Sequence, residues 1–109
     1  MVFSRIGELE LVTIYKYNVP GIYNIPLKQV LDTQIQRGQI VVWCIIDEEL
    51  PEERICFEIC GTGWNTDRDL GTYVGTVQEN DFYVWHVFYE KIKDGKKNEI
   101  IEREHESQS

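Results

Sequence analysis

Arg54-Ile55-Cys56-Phe57-Glu58-Ile59-Cys60-Gly61-Thr62-Gly63-Trp64 reads as a strand over Arg54 to Cys60 that runs into a double-glycine end. A polar loop follows. Two more strand-like runs come next, Tyr73 to Glu79 and Phe82 to Tyr89, separated only by Asn80-Asp81. Apolar and polar residues that alternate between Gly, Asn and Asp boundaries are the signature of hairpins, so this half of the chain is predicted to be an antiparallel meander.

Working outward, Ile40-Val41-Val42-Trp43-Cys44-Ile45-Ile46 is apolar at every position, which in a chain of 109 residues predicts a central strand covered on both faces. Between it and Arg54 lies Asp47-Glu48-Glu49-Leu50-Pro51-Glu52-Glu53, expected as an exposed acidic loop. The loop lacks the alternate oxygen spacing and central glycine of a calcium loop. Upstream, Leu9 to Tyr17 alternates as a strand. Pro20-Gly21 marks a turn, and Ile22 to Ile25 forms a short strand. Because Pro26 cannot donate to a ladder, that short strand is expected at a sheet edge. Val30 to Gln36 carries two signals. Leu27, Val30, Leu31, Gln34 and Ile35 recur at helical spacing, but Val30, Thr33 and Ile35 are β-branched, which favours a strand; a single short helix is the alternative.

The expected fold is therefore all-β, a small antiparallel sandwich or barrel-like sheet of about six or seven strands. It forms one domain over residues 1–90, and 91–109 is a charged tail, frayed or carrying a short helix over Asn98 to Glu104. No apolar run reaches the roughly 18 residues that cross a bilayer, and Met1 to Gly7 is too short and mixed for a secretory signal, so a cytoplasmic protein without membrane contact is expected.

Nineteen acids against eleven bases give a formal charge of −8, which opposes binding to duplex nucleic acid, where clustered Lys and Arg must neutralise phosphates. Residues 1–89 hold 13 acids and 6 bases, and the tail holds 6 and 5, so the folded body is the acidic part. Such a charge solubilises; it also suits a basic partner protein.

Three cysteines, Cys44, Cys56 and Cys60, do not make a closed disulfide set. Four positions apart on one strand face, Cys56 and Cys60 would lie about 13 Å apart, too far to bridge. Buried thiols in a reducing compartment are expected, and no metal site is assigned. Both faces of Phe82 to Tyr89 are apolar, one presenting Phe82, Val84, His86 and Phe88, the other Tyr83, Trp85, Val87 and Tyr89. Either two sheets pack face to face or one face meets another chain, so a homo-oligomer is expected. His86 reads first as a hydrogen-bonded structural imidazole, because no nucleophile or acid stands at a meaningful spacing from it. Gly61-Thr62-Gly63-Trp64 lacks the third glycine and following helix of a dinucleotide fingerprint. It reads as a strand end, or as a site where free N–H groups cradle an anion beside a stacking indole.

Thr13-Ile14-Tyr15-Lys16-Tyr17, Val42-Trp43, Asp47, Ile59-x-Gly61-Thr62-Gly63, Tyr73-x-Gly75-Thr76-Val77 and His86-Val87-Phe88 resemble a family of short uncharacterised proteins encoded mainly by tailed bacteriophages. The resemblance spans roughly residues 12 to 90. Where that family usually has His after Gly-Thr-Gly, this chain has Trp64, which removes any chemistry assigned to that His. The resemblance implies a phage-encoded single β-rich domain without an established activity, and it carries no active site over to these residues.

Two functions follow as expectations, neither enzymatic nor needing a cofactor. In the first, the protein acts in the host cytoplasm as an anti-defence sponge for a nucleotide-derived immune signal, held by Gly61, Thr62, Gly63, Trp64, Arg68, Tyr73, Trp85 and His86, with Arg54 a further basic candidate. In the second, it is a protein interaction module: an inhibitor of a host protein through its acidic surface, or a small structural accessory.

Overall fold

The computed structural model describes residues 4–5, 8–9, 11–66 and 69–92, all of them in strands or their connections. Strands β1 (Ser4–Arg5) and β2 (Glu8–Leu9) form a small antiparallel ladder of their own. The remaining strands are β3 (Val12–Asn18), β4 (Gly21–Ile25), β5 (Leu27–Gln36), β6 (Gln39–Asp47), β7 (Glu53–Gly61), β8 (Thr72–Glu79) and β9 (Tyr83–Lys91). They form two antiparallel sheets, one in the order β3-β6-β5 and one in the order β4-β7-β9-β8.

Strand alternation fixes what each sheet hides. Ile40, Val42, Cys44 and Ile46 of β6 point inward with Ile55 and Phe57 of β7, Val77 of β8 and Val87 of β9, and together they make the core. Phe57, at its centre, is wholly buried and ringed by Tyr17, Tyr23 and Tyr89, with ring centroids 6.1 to 6.3 Å away. The sheets approach closely where β5 faces β8. A Cβ on Gly75 would lie 2.9 Å from Thr33 Cγ2, and Thr33 is pinned because its Oγ1 donates to the Val41 carbonyl at 2.8 Å.

The chain changes sheet at each proline between β3 and β5. It leaves the three-stranded sheet at Pro20, forms β4 on the edge of the other, and returns after Pro26, so the expected edge position of the short strand holds. Arg37 (φ 51) and Gly38 (φ 80) join β5 to β6 with two left-handed residues, the pattern that matches the twist of a two-residue hairpin.

The sandwich of the sequence reading is present, as is β6 at the centre of its sheet, but several details change. Leu9 to Tyr17 is not one strand: β2 ends at Leu9, Leu11 is exposed, and β3 starts at Val12. The strand expected over Val30 to Gln36 is present but starts earlier, at Leu27, and its ladder shifts register between Leu27 and Gln29 and again between Val30 and Asp32. Each bulge adds one residue, so the inward positions become Leu27, Val30, Thr33 and Ile35, and this produces the helix-like spacing.

Asp47 closes β6 rather than opening a loop. It is buried, and its Oδ1 accepts the Glu49 N–H at 3.0 Å, while Glu53 begins β7 and pairs with Lys91 at 3.1 Å. Phe82 belongs to the β8–β9 turn, 83% exposed, where Asn80 Oδ1 accepts its N–H at 2.8 Å. The outward row of β6 is covered unevenly, with Val41 buried and Trp43 and Ile45 half-buried. The expected tail beyond Ile92, with its helix over Asn98 to Glu104, lies outside the described residues.

Candidate functional site

β7 and β9 run antiparallel with Gly61 opposite Trp85 and Cys60 opposite His86. Trp85 and His86 are successive residues of one strand, so the sheet separates them: Trp85 faces the side of the core, His86 the outside. The candidate residues accordingly fall into two groups on opposite faces.

The inward group sits at the end of the sandwich where β7 leaves and β8 turns into β9. Gly63 takes φ 87 and folds the chain back so that the Trp64 indole covers Gly61, where a Cβ would stand 2.7 Å from Trp64 Nε1. Glycine at 61 is thus a requirement of close approach, and glycine at 63 one of backbone sign. Trp64 meets Trp85 edge to face, with centroids 5.3 Å apart at 83°, and Tyr83 stacks on Trp85 at 5.9 Å and 14°. Trp85 Nε1 donates to Glu79 Oε1 at 2.9 Å, which holds the ring. Trp64 stays 53% exposed and Tyr83 54%.

The outward group is a chain of hydroxyls around an imidazole. Thr62 Oγ1 lies 2.8 Å from His86 Nε2, Thr76 Oγ1 lies 3.0 Å from His86 Nδ1, and the Tyr73 hydroxyl is hydrogen-bonded to Thr76 Oγ1. Both ring nitrogens are thereby occupied, which suits the structural imidazole of the sequence reading. Tyr73 also packs edge-on against Phe88, at 5.7 Å and 64°.

The amides proposed to cradle an anion are largely committed: Thr62 N–H donates to the Val84 carbonyl at 3.1 Å, and Trp64 N–H to the Gly61 carbonyl at 3.0 Å. Arg68 lies outside the described residues. Arg54 stands near the start of β7, seven residues and roughly 23 Å from Gly61, so it does not join either group.

Sequence reasoning missed Tyr83, Thr76 and Glu79. The turn at 80–82 held the signal, because a hairpin closed there sets Thr76 opposite His86, Val77 opposite Trp85 and Glu79 opposite Tyr83.

Cys44 and Cys56 are buried, Cys60 is half-buried, and all three are free thiols. Burial pushes the Cys44 thiol up to about 12 and also raises the Tyr17 and Tyr23 phenols. Among the described residues no group of three or more His, Cys, Asp or Glu is placed to hold a metal ion, and no helix is long and apolar enough to cross a membrane.

Fold and site together define a small antiparallel β-sandwich with an open aromatic end. Residues 12–98 match a family described as a domain of unknown function (DUF7352), and the chain belongs to that family. No curated protein and no solved structure matches it.

Proposed function

We propose that this is a non-enzymatic binding protein, phage-encoded and acting in the host cytoplasm, that occupies a partner protein through its aromatic end. The observation that carries this reading is the group Trp64, Phe82 and Tyr83. Each is more than half exposed, and all lie at the end formed by the β7 exit and the β8–β9 turn, with Trp85 rigidly placed behind two of them. Large, pre-positioned aromatic rings at a surface supply contact area at little entropy cost and dominate binding energy in protein interfaces. Glu79 and Asp81 put acidic side chains at this end, which favours a basic or neutral partner surface.

A second reading, capture of a nucleotide-derived signal, draws on one observation: the exposed Trp64 ring is braced by Trp85 and offers a free face for stacking. The spent amides and the acidic balance of the chain weigh against it.

Affinity capture from host lysate, with mass spectrometry of both bound proteins and heat-released small molecules, separates the two. The partner-protein reading expects one protein retained by wild type, lost with Trp64→Ala and Tyr83→Ala, and kept by a variant at the exposed but remote Leu31. A nucleotide released by heat from wild type but not from Trp64→Ala would instead establish the second reading. Protein retention that does not change with Trp64 or Tyr83 rejects the proposed end as the site.

A further inference from the structure

The two sheets expose four edges, and three of them carry features that discourage another strand from pairing. β5 has two bulges together with Lys28 and Asp32. β8 has a register shift between Tyr73 and Gly75. β4 is five residues long and closed by Pro20 and Pro26. β3 differs. It pairs with β6 in unbroken register from Val12 to Asn18, contains no Gly or Pro, carries Lys16 as its one charge, and has no strand on its other side among the described residues. A regular edge of this length offers a row of backbone donors and acceptors to an incoming strand.

We infer that the β3 edge takes a second copy of this chain, β3 against β3 in antiparallel pairing, joining two three-stranded sheets into one across a two-fold axis. Charge singles out the occupant. Residues 11–31 contain no Asp or Glu and two Lys, within a chain of net charge −8. Two such chains therefore repel each other least along this side. The strand is also self-complementary. Centring the axis on Tyr15 uses all seven residues and places Ile14 opposite the partner's Lys16, so that like charges never face each other. Leu11, Ile14 and Tyr15, at 57, 52 and 49% exposed, would be covered by the pairing. This inference does not depend on the aromatic-end reading, because β3 belongs to the other sheet and holds none of Trp64, Phe82 and Tyr83.

Sedimentation equilibrium on the full chain tests it. Wild type should sediment at twice the 12.9 kDa chain mass. Ile14→Lys sets Lys against Lys16 at two symmetric points and should weaken the dimer about tenfold. Adding Lys16→Glu to Ile14→Lys creates two opposite-charge pairs and should restore it. Ile14 faces solvent, so an unchanged thermal midpoint for Ile14→Lys will show that folding is intact. A monomer mass for wild type at high micromolar concentration overturns the inference. So does a dimer equally tight in Ile14→Lys, or a double variant that stays as weak as Ile14→Lys alone.

Discussion

Two aromatic clusters stand on the same face of the four-stranded sheet and meet different fates. Phe57 is wholly buried, with Tyr23 and Tyr89 of its own sheet half-buried beside it and Tyr17 of the three-stranded sheet packed across from them. Around Trp85, the rings of Trp64 and Tyr83 are left half open, because the facing sheet does not cover them. Residue type and face are alike in both. What differs is the layer opposite, so aromatic content on an inward row becomes core only where a second sheet meets it, and elsewhere it remains contact surface.

The largest effect should come from breaking the closed cluster. Phe57→Ala removes a wholly buried ring and should cost about 3–5 kcal/mol, read as the shift in a urea unfolding curve. Second, Gly75→Ala forces a methyl against pinned Thr33 and should cost about 1–3 kcal/mol by separating the sheets where β5 faces β8. The open cluster should respond weakly in the same assay: Trp64→Ala is expected to change stability by about 1 kcal/mol or less while abolishing partner capture. A loss near that of Phe57→Ala would make Trp64 a core residue and end the comparison.

The smallest effect is a pH dependence confined to the closed side. Tyr17, Tyr23 and Cys44 all have raised pKa values in the folded state, so the native protein holds these protons more tightly than the unfolded chain does. Stability from this source is complete below the unfolded values, near 9 for the thiol and 10 for the phenols, and falls as pH rises toward the folded values, about 12 for Cys44. Unfolding free energy should be level in this respect up to about pH 9 and decline above it. In Cys44→Ala the decline should start about one unit higher, near the phenol value.

Much of the meander was legible because β7 and β9, and β8 from Gly75 onward, keep period two between recognisable turns. β5 was ambiguous for a physical reason: two bulges convert a two-residue repeat into a three-residue one, which resembles a helix until the partner strand is known. Asp47 looked like loop because its carboxylate serves the turn from a buried position. The separation of Trp85 from His86 was implicit in their adjacency. The meeting of Thr62 with His86, however, depends on how β7 registers against β9, and no local pattern encodes that.

The double change of sheet at Pro20 and Pro26 bears on the order of assembly. Val12 pairs with Asp47 and Gly21 with Phe57, so neither β3 nor β4 has a partner until much later chain has been made. Hairpins β5–β6 and β8–β9 close on local contacts, whereas the first two sandwich strands must wait for distant ones, a topology that folds slowly. At ribosomal speeds of about 5–20 residues per second, the wait from Gly21 to Phe57 lasts a few seconds. During that interval Val12, Ile14 and Tyr15 of the nascent chain have no folded sheet to shield them, within a stretch from Leu11 to Leu31 that holds no acidic residue.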